Sequence, residues 1–400
     1  MTVAAYWLPA AGAGPVTGPE TLPEVVDAVV AGGGVMGAAV AYWLARAGQS
    51  VLLLERRRLA QGASGRNAGV VLAGPHPVED LALTRSVLAE EGIDAGFERT
   101  GHLALAASGT VLERVRGEVA RRPAAAPPLH ALDRPACEEM LHRRIAPGFA
   151  GGRWAPDGHV VHPVRLVQGL AAAARRHGAR LATETAARRT VPGRRRPLRV
   201  LTTRGPVDTT HVVLACGAAA AGFQPSLRAV FRPVRAQMLA TEPLSPLFRP
   251  AMAVDFGSVY WRQAGDGVIV LGGCRAADPD GEHDGTGEEP NPVIQRALES
   301  FLPGAFPGFP RFRVVHRWAG TMDDTADGRP LAGAVPGAAG QWVLAGFGGH
   351  GLPPALGVAR ALADAIVLGR PAPLLSPFDP ARFDPADRPL PAGVPRGGLP

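Results

Sequence analysis

The chain of 400 residues contains only three cysteines, Cys137, Cys216 and Cys274, and few aromatic residues. Three scattered cysteines provide neither a disulfide framework nor the spacing of a metal site, so the sequence predicts no bound metal and a reducing, cytoplasmic location. No lysine or arginine precedes Arg46, which argues against a signal peptide, because the first residues of such peptides are basic. The sequence also lacks an internal repeat.

Positive charge is in excess, with a net charge of +7 at pH 7 and arginine largely replacing lysine. The strongest basic cluster joins Arg188-Arg189 to 194–196 around a Pro-Gly turn, and we interpret it as a solvated loop between strands rather than a nucleic-acid surface. Hydrophobic residues make up 46% of the chain and charged residues 19%, which indicates a globular protein of two or three domain-sized units.

The most informative stretch is Val29–Gly37, which reads as a strand followed by a G-x-G-x-x-G turn. Gly32 permits the tight turn, Gly34 lets the backbone approach a pyrophosphate, and Gly37 lets the following helix lie close to the strand. The amino terminus of that helix presents N–H groups and a positive dipole end to phosphates. The stretch therefore predicts dinucleotide binding.

The residues that follow complete the pattern. We predict a helix from about 35 to 47 capped by Gly48, then a buried strand at Val51–Leu54, with Glu55 at its carboxyl end to accept hydrogen bonds from a ribose. Residues 28–45 carry no charge, so a membrane span is the alternative. The glycines of the turn favour strand, turn and helix instead, and we expect no membrane span.

The rest of the chain divides into two kinds of pattern. Crossover fragments are predicted as helices at 163–177 and 354–368 and as strands at 198–203, 211–215 and 342–345. The middle differs, because strands at 259–262 and 268–271 flank the turn 264–267 as a hairpin, and 311–315 is another strand. A parallel nucleotide-binding layer is thus interrupted by an antiparallel layer. We expect a loose amino-terminal extension, and an extended proline-rich tail docked through Leu374, Leu375 and Phe378.

Several further segments are familiar as an ordered set: Ala60–Gly69, Asp157-Gly158 with His162-Pro163, Val212–Gly217, Pro233–Met238, Tyr260–Arg262, Trp318–Gly320 and Ala345–Gly351. Together they resemble the glycine oxidase and D-amino-acid oxidase (DAO) family of FAD-dependent oxidoreductases, over about residues 27 to 370. The resemblance implies an α/β (α+β, two-domain) fold, with a Rossmann-like FAD-binding domain and a discontinuous antiparallel-sheet substrate domain. The expected limits are 1–26 for a flexible extension, 27–95, 150–225 and 320–370 for the FAD-binding domain, 96–149 and 226–319 for the substrate domain, and 371–400 for the tail.

The resemblance also implies which residues bind FAD: Gly32, Gly34, Val35, Met36, Gly37, Glu55, Arg56, Ser64, Gly65, Arg66, Asn67, Ala68, Gly69, Ala186, Cys216, Gly217, Gly346, Phe347, Gly348, Gly349, His350, Gly351 and Leu352. The loop 64–67 is expected to wrap the middle of the flavin, with the Ser64 hydroxyl and Arg66 near the pyrophosphate or ring. An ordinary glycine-rich turn is the alternative.

The closing loop, Gly346–Gly351, is expected to end at a helix start and to face the pyrimidine edge of the flavin. A helix amino terminus there would stabilise negative charge on the ring. His350 in this loop has two interpretations, as a catalytic residue or as a structural histidine.

The substrate site departs from the family pattern. Glycine oxidases usually hold the substrate carboxylate with an arginine shortly after Trp-Ala-Gly, and the matching position here is Met322. Monomeric sarcosine oxidases attach the flavin through a cysteine where this chain has Thr321, so we expect noncovalent FAD. They also use a lysine where this chain has Leu352-Pro353-Pro354. These departures argue against a glycine or sarcosine oxidase.

Candidates for the substrate-binding residues that are missing here come from the predicted hairpin. Tyr260 and Arg262 share one face of a strand, and Arg262 could hold a carboxylate bidentately. Arg275 is a second candidate for that role. The alternatives are a half-buried sheet aromatic for Tyr260 and surface ion pairs for the arginines. Cys274 is interpreted as a small packed residue.

Asp323, Asp324 and Asp327 are interpreted as part of a turn rather than as a metal site, because no histidine or cysteine accompanies them. Asp323 or Asp324 could instead recognise an amine. The set of catalytic candidates is Tyr260, Arg262, Met322 and His350.

The sequence thus predicts an FAD-dependent oxidoreductase that oxidises a small amine or amino acid, by hydride transfer from the carbon next to nitrogen to flavin N5. Either O2 or an electron carrier would accept the electrons, and no nucleic acid is expected as a partner. Orientation of the reacting C–H bond matters more than a strong protein base in such a reaction. Two alternatives stay open: a nicotinamide-dependent dehydrogenase that uses the same first motif, and a non-catalytic flavin-binding partner subunit or scaffold.

Overall fold

The computed structural model describes residues 5–10, 21–72, 81–124, 126–283 and 287–383. Its strands in chain order are β1 Val25–Ala31, β2 Val51–Leu54, β3 Val70–Val71, β4 Glu98–Arg99, β5 His102–Ala106, β6 His130–Asp133, β7 Gly151–Ala155, β8 His159–Val160, β9 Arg180–Ala182, β10 Ala187–Pro192, β11 Leu198–Thr202, β12 Gly205–Leu214, β13 Phe231–Pro243, β14 Ala251–Val254, β15 Val259–Gln263, β16 Val268–Gly273, β17 Val314–Thr325, β18 Leu331–Ala334 and β19 Gln341–Ala345.

The α-helices are α1 Trp7–Ala10, α2 Val35–Arg46, α3 Leu81–Glu90, α4 Gly109–Arg121, α5 Arg134–Leu141, α6 Pro163–Arg176, α7 Ala220–Phe223, α8 Pro292–Ala305 and α9 Ala355–Leu368. Short 3₁₀ turns lie at Ala63–Gly65, Gly217–Ala219, Pro225–Leu227, Arg275–Ala277, Pro373–Phe378 and Pro380–Phe383.

The first sheet has the order β10-β11-β12-β1-β2-β9, and β19 pairs with β12. Its central pairs β12–β1, β1–β2 and β2–β9 are parallel. The valine and leucine runs of β1 and β2 are buried on both faces, as parallel strands covered on both sides require. Helices α2, α6 and α9 pack together over one face, where their alanine-rich surfaces allow close approach. This layer positions the glycine turn after β1.

The second sheet has the order β17-β13-β16-β15-β14-β5-β7-β6, and only the β14–β5 pair is parallel. Side chains of β15 alternate between its two faces because successive residues of a strand point in opposite directions. Trp261 packs with Phe248 and Phe306 in a core beneath α8, whereas Tyr260 packs toward the core shared with the first sheet. The second sheet therefore presents one face of β15 to the nucleotide-binding layer.

Most predicted elements are confirmed. The glycine turn leads into α2, which ends beside Gly48, and the hairpin pairs β15 with β16 as expected. Residues 28–45 form a strand, a turn and a helix, so the alternative of a membrane span there is wrong. Of the basic cluster, Arg195 and Arg196 pair with Glu24 and Asp27.

Several expectations are wrong. Residues 311–313 are not strand, because β17 begins at Val314. This strand continues to Thr325, so Asp323 and Asp324 lie in a strand rather than in a turn. By contrast, the helix predicted at 354–368 after the closing glycine loop is confirmed as α9, and residues 352–354 separate it from the loop. Ordered 3₁₀ turns replace the extended tail over 373–383, with Leu375 buried. The remaining tail lies outside the described residues.

The amino-terminal extension is also not loose where the structure describes it, because Ala5 and Trp7 are buried. Of the predicted domain limits, one lies next to a strand of the second sheet and one lies inside a strand of that sheet. The limit at 150 adjoins β7, which pairs with β5 and β6, and the limit at 320 cuts β17, which pairs with β13 along its length.

Candidate functional site

The first glycine turn brings α2 against β1. Gly32 has φ of 121° and donates its N–H to the carbonyl of Leu54 at 2.8 Å. A Cβ added at Gly37 would lie 1.8 Å from the carbonyl oxygen of Gly32, so only glycine allows this approach. Gly34 at the N-cap has no side chain to cap α2, and the first turn holds no acidic residue. The positive end of the helix is thus left for an anion.

Glu55 lies beside this turn as predicted. Its carboxylate accepts hydrogen bonds from the N–H groups of Gly33 and Arg57, at 2.7 and 2.8 Å. Its carbonyl accepts from the N–H of Thr185, the neighbour of Ala186, which brings that predicted residue to the same end of the site. The Arg56 side chain is exposed.

The second glycine loop closes over the start of α2. The Ser64 hydroxyl accepts a hydrogen bond from the N–H of Val35 at 2.9 Å. Asn67 shapes the loop from within, since its amide donates to the Ser64 carbonyl at 2.9 Å and its Oδ1 accepts from the N–H of Gly69 at 2.8 Å. Gly65 and Ala68 are buried beneath the loop. Backbone and hydroxyl groups therefore line this part of the site.

Arg66 is held by hydrogen bonds within the protein. Its guanidinium donates to the carbonyls of Gln61 and Ala319 at 3.0 and 2.9 Å, and it pairs with Glu288 at 2.8 Å. Three of its donors are thus used within the protein, and they brace the loop against β17. Contact of Arg66 with a pyrophosphate or ring stays a prediction.

The closing glycine loop meets the other two. A Cβ added at Gly351 would lie 3.3 Å from Cε of Met36, and one at Gly349 would lie 2.9 Å from Sδ of Met322. His350 is exposed, and its Nδ1 donates to the carbonyl of Gly348 at 3.0 Å, a bond within the loop that favours the structural interpretation. Phe347 within the loop and Leu352 directly after it are half-buried against the core.

Asp323 ties the closing loop to the loop after β12. Its Oδ2 accepts from the N–H of Gly346 at 2.7 Å, and a Cβ added at Gly217 would lie 3.2 Å from the same oxygen. Burial raises the pKa of Asp323 to about 6, although the Gly346 amide opposes the shift. Burial likewise raises the pKa of the neighbouring Cys216 thiol to about 12, so this cysteine is a neutral, packed group.

These loops fit a dinucleotide cofactor. Positions 32, 34, 37 and 217 are glycines where an added Cβ would fill the space or strike backbone or side-chain atoms, so the cradle needs its glycines. The cradle offers backbone amides, a hydroxyl and a helix amino terminus rather than a cluster of cations. Such donors suit a pyrophosphate.

The hairpin face that lies toward these loops carries Tyr260 and Arg262. The Tyr260 ring packs over Gly272, where an added Cβ would lie 2.8 Å from the ring and 2.1 Å from Sδ of Met238. Burial raises the pKa of Tyr260 to about 12, so its hydroxyl is protonated at neutral pH. Tyr260 is thus a neutral hydrogen-bonding group that faces the nucleotide-binding layer.

Arg262 lies two residues farther along the same face. Its side chain is only 6% exposed, and its Nε has no hydrogen-bond partner among the described residues. No ion pair of Arg262 occurs in the described part of the chain either, and burial lowers its pKa to about 10. The alternative interpretation of Arg262, a surface ion pair, is therefore not observed among the described residues. A buried cation without a counter-ion is costly unless an anion binds beside it.

Arg275 and Cys274 follow β16 near Tyr260. Arg275 opens a 3₁₀ turn and lies within electrostatic range of the Tyr260 hydroxyl. Cys274 has φ of 57°, and burial raises its pKa to about 11, which agrees with a packed and unreactive thiol. Arg275 is half-exposed, so it is the less confined of the two arginine candidates.

The sequence interpretation missed Trp7, whose ring lies over Arg262, and the linking role of Asp323. The aromatic run Tyr6-Trp7 within a segment rich in glycine, alanine and proline was the available signal for the first. No sequence signal indicated the role of Asp323, because its position depends on the register of β17.

Among the described residues no group of three or more His, Cys, Asp and Glu is arranged to hold a metal. No helix described here has the length and apolarity needed to cross a bilayer.

Comparisons with known proteins agree with this geometry. The family profile described as FAD dependent oxidoreductase (DAO) matches residues 27–365. One of the polypeptides of the opine oxidase of Agrobacterium tumefaciens is 29% identical over 389 residues, which cover 90% of this chain and 98% of that protein. The 4-methylaminobutanoate oxidase of Paenarthrobacter nicotinovorans is 28% identical over 92% of this chain, which spans only 47% of that longer relative.

A solved structure shows the same fold. Glycine oxidase from Geobacillus kaustophilus superimposes with a TM-score of 0.79 at 22% identity, over 90% of this chain and 99% of that one. The two-domain arrangement of a nucleotide-binding layer and an antiparallel layer is therefore confirmed.

Proposed function

Because the chain belongs to the DAO family of FAD-dependent oxidoreductases, we propose that it oxidises a small amine or amino acid whose carboxylate binds to Arg262. The observation that carries the proposal is the buried guanidinium of Arg262, which has no counter-ion among the described residues and lies on the hairpin face toward the nucleotide-binding layer. Family membership overturns the nicotinamide alternative, since the family uses FAD.

Bound noncovalently, FAD would accept a hydride from the substrate carbon next to nitrogen. The protein's part is to place that carbon. Arg262 would hold the carboxylate through two parallel N–H···O bonds, and Tyr260 would offer its hydroxyl two residues away along β15, roughly 7 Å in Cα distance. A short substrate spans this interval. The closing loop 346–351 would contribute backbone groups at the opposite side.

The names of two relatives support a carboxylate-bearing amine. One acts on 4-methylaminobutanoate, and the other is part of an opine oxidase. The first of these substrates has a secondary amine and a carboxylate in one small molecule. We therefore propose that N-substituted amino acids are tested first, with glycine and D-amino acids beside them.

Anaerobic mixing of the FAD-loaded protein with each amine tests the proposed activity. We expect loss of the flavin absorption band with at least one small amino acid, and no reduction by a polyamine that lacks a carboxylate. Reoxidation in air, compared with an added electron carrier, would identify the acceptor as O2 or a carrier. Bleaching by polyamines alone would contradict the carboxylate-binding role of Arg262.

Substitution of Arg262 tests its role. Arg262→Met keeps the length and apolar stem of the side chain but removes the charge, so we expect KM to rise at least tenfold while flavin content stays unchanged. A charge-assisted bidentate pair is worth about 1.5–3 kcal/mol, which sets this scale. Arg275→Met, at the second candidate arginine just after β16, is the comparison variant. Equal effects of both substitutions would move the carboxylate site to a position between them.

A second candidate function is a non-catalytic flavin-binding partner subunit. The observation in its favour is Met322, which contacts the closing loop where glycine oxidases usually have an arginine. Failure of every tested amine to bleach the bound flavin would favour it.

We also propose a cytoplasmic location. Cys137, Cys216 and Cys274 are all free, as expected in a reducing compartment. Cell fractionation would test this.

A further inference from the structure

The segment Ala5–Leu8 crosses from one layer of the molecule to the other. The Tyr6 hydroxyl donates to the carboxylate of Asp266, in the turn between β15 and β16, at 2.6 Å. The Trp7 indole N–H donates to the carbonyl of Asn67, in the second glycine loop, at 2.6 Å. Leu8 reaches the same loop, since a Cβ added at Gly65 would lie 3.1 Å from its Cδ2. The segment is thus anchored on both layers.

Trp7 lies directly against Arg262. The guanidinium carbon is 4.7 Å from the centre of the indole ring, and Trp7 is only 2% exposed. The His162 ring packs on the indole at 5.0 Å. Burial lowers the pKa of His162 to about 4, so this ring is neutral at pH 7 and adds no charge beside Arg262. Glu98 and Asp266 lie within electrostatic range of Arg262 but form no ion pair with it.

The chemistry of the indole matters here. A carboxylate at this position would neutralise Arg262 and accept hydrogen bonds from its N–H groups. An aromatic face attracts the cation but accepts no hydrogen bond in the plane of the guanidinium. The indole therefore fixes the guanidinium while its in-plane donors remain available. It also excludes water from one side of the cation, which strengthens any ion pair formed on the other side.

We propose that Ala5–Leu8 forms a wall of the substrate pocket and that Trp7 is a positioning residue, which holds Arg262 for an incoming carboxylate. This inference rests on the proposed carboxylate-binding role of Arg262. Since the indole covers one side of the guanidinium, the carboxylate would bind on the other side and the amine would lie toward Tyr260. The segment thereby selects for a terminal carboxylate next to a short spacer.

Three substitutions of Trp7 separate positioning from simple packing. Trp7→Phe keeps an aromatic face, Trp7→Leu fills space without one, and Trp7→Ala removes both. The probe is propionate, a carboxylate that cannot be oxidised as an amine, and its binding is followed by perturbation of the flavin absorption band. Trp43→Ala is the matched control, because the Trp43 ring also lies 5.4 Å from an arginine, Arg360, and its N–H also donates to a carbonyl.

We expect Trp7→Leu and Trp7→Ala to weaken propionate binding on the order of tenfold and Trp7→Phe by threefold or less, the range of a desolvated cation–π contact. The same variants should raise KM for the amine substrate far more than they change kcat. All three Trp7 variants lose the N–H that donates to the Asn67 carbonyl, so their flavin contents should be alike. The Trp43→Ala protein should bind propionate as the wild type does. In an Arg262→Met background, Trp7→Leu should have no further effect on propionate binding.

Equal affinities of Trp7→Leu and Trp7→Phe would overturn the inference, as would an additive effect in the Arg262→Met background. Absence of any propionate binding by the wild type would also overturn it. If propionate binds through Arg262 and Trp7 but no amine bleaches the flavin, the proposed oxidation fails while the inference stands. If amines are oxidised and Trp7→Leu behaves as wild type, the inference fails alone.

Discussion

Asp323 is a carboxyl group placed where charge is unfavourable. It lies in β17 between the loop after β12 and the closing loop, and burial raises its pKa to about 6, whereas the ordinary value of an aspartate is 3.8. The group accepts the Gly346 N–H in either protonation state, because a neutral acid keeps an acceptor oxygen. Its charge is therefore not needed for the link between the two loops.

The pH dependence of the free energy of unfolding should show that the charge of Asp323 is unfavourable. Since the folded pKa lies above the unfolded one, the unfolded chain loses its proton first, and stability falls as pH rises from about 4 to about 6. Asp323→Asn keeps the acceptor and removes the charge, so we expect a more stable protein at pH 8, by about 3 kcal/mol at most. The gain should shrink toward pH 4. Urea unfolding at several pH values measures it.

Asp327 provides a control of opposite sign. Burial tends to raise its pKa, but hydrogen bonds from Arg382 and from the Arg329 backbone outweigh this, and its pKa is lowered. Asp327 therefore contributes stability at neutral pH that is lost as pH falls through its folded pKa. Asp327→Asn should destabilise the protein at pH 8, and less so at low pH. If the stabilities of the two variants changed with pH in the same direction, the raised pKa of Asp323 would be contradicted.

Among the elements, the contact of α2 with β1 depends on Gly37. An added Cβ would strike the Gly32 carbonyl, and backbone atoms cannot rotate away as a side chain can. Gly37→Ala should separate the helix from the strand, destabilise the protein by about 3 kcal/mol and weaken FAD binding at least tenfold. Thermal unfolding and titration of the apoprotein with FAD measure the two effects.

Gly117 in α4 allows the same substitution where space exists. The nearest atom to an added Cβ is Nη1 of Arg121 at 3.0 Å, at the flexible end of a side chain. Alanine is the better helix former, so Gly117→Ala should stabilise the protein by about 0.5–1 kcal/mol and leave FAD affinity unchanged. Similar losses at Gly37 and Gly117 would show that the contact with Gly32 is not the cause.

The elements that the sequence predicts well are those whose signals are local. The first glycine turn, α2, Glu55 and the hairpin of β15 and β16 each follow from residues within one turn or one strand length of each other. The role of Arg66 could not be predicted in this way, because its partner Glu288 is 222 residues away. Trp7 and Asp323 are similar, since each acts through contacts that only the folded chain brings together.

At the scale of the whole molecule, the candidate cofactor site is built by distant parts of the chain. The first glycine turn belongs to the amino-terminal crossover, the loop at 216–217 follows β12, and the closing loop at 346–351 follows β19. β12 lies between β1 and β19 in the sheet, which brings all three to the carboxyl ends of neighbouring parallel strands. Ligands bind at such an edge in open α/β sheets.

This arrangement predicts how FAD should change the dynamics of the chain. A ligand that contacts all three loops should slow the exchange of their amide hydrogens together, because opening any one of them would first require FAD to leave. With FAD at 100 times its Kd, the added protection is about 2.7 kcal/mol, roughly a hundredfold in rate. Hydrogen exchange of the apoprotein and the FAD-loaded protein, resolved by peptide, measures this.

The far edge of the second sheet is the internal control. Helices α4 and α5 pack on β6 and β7, at the opposite end of that sheet from β17 and apart from the three loops. Their exchange should change much less when FAD binds. Protection confined to the first glycine turn, with the closing loop exchanging as in the apoprotein, would show that FAD does not bridge the two crossovers. It would also remove the loop at 346–351 from the flavin site, and with it the structural basis for placing the substrate between that loop and β15.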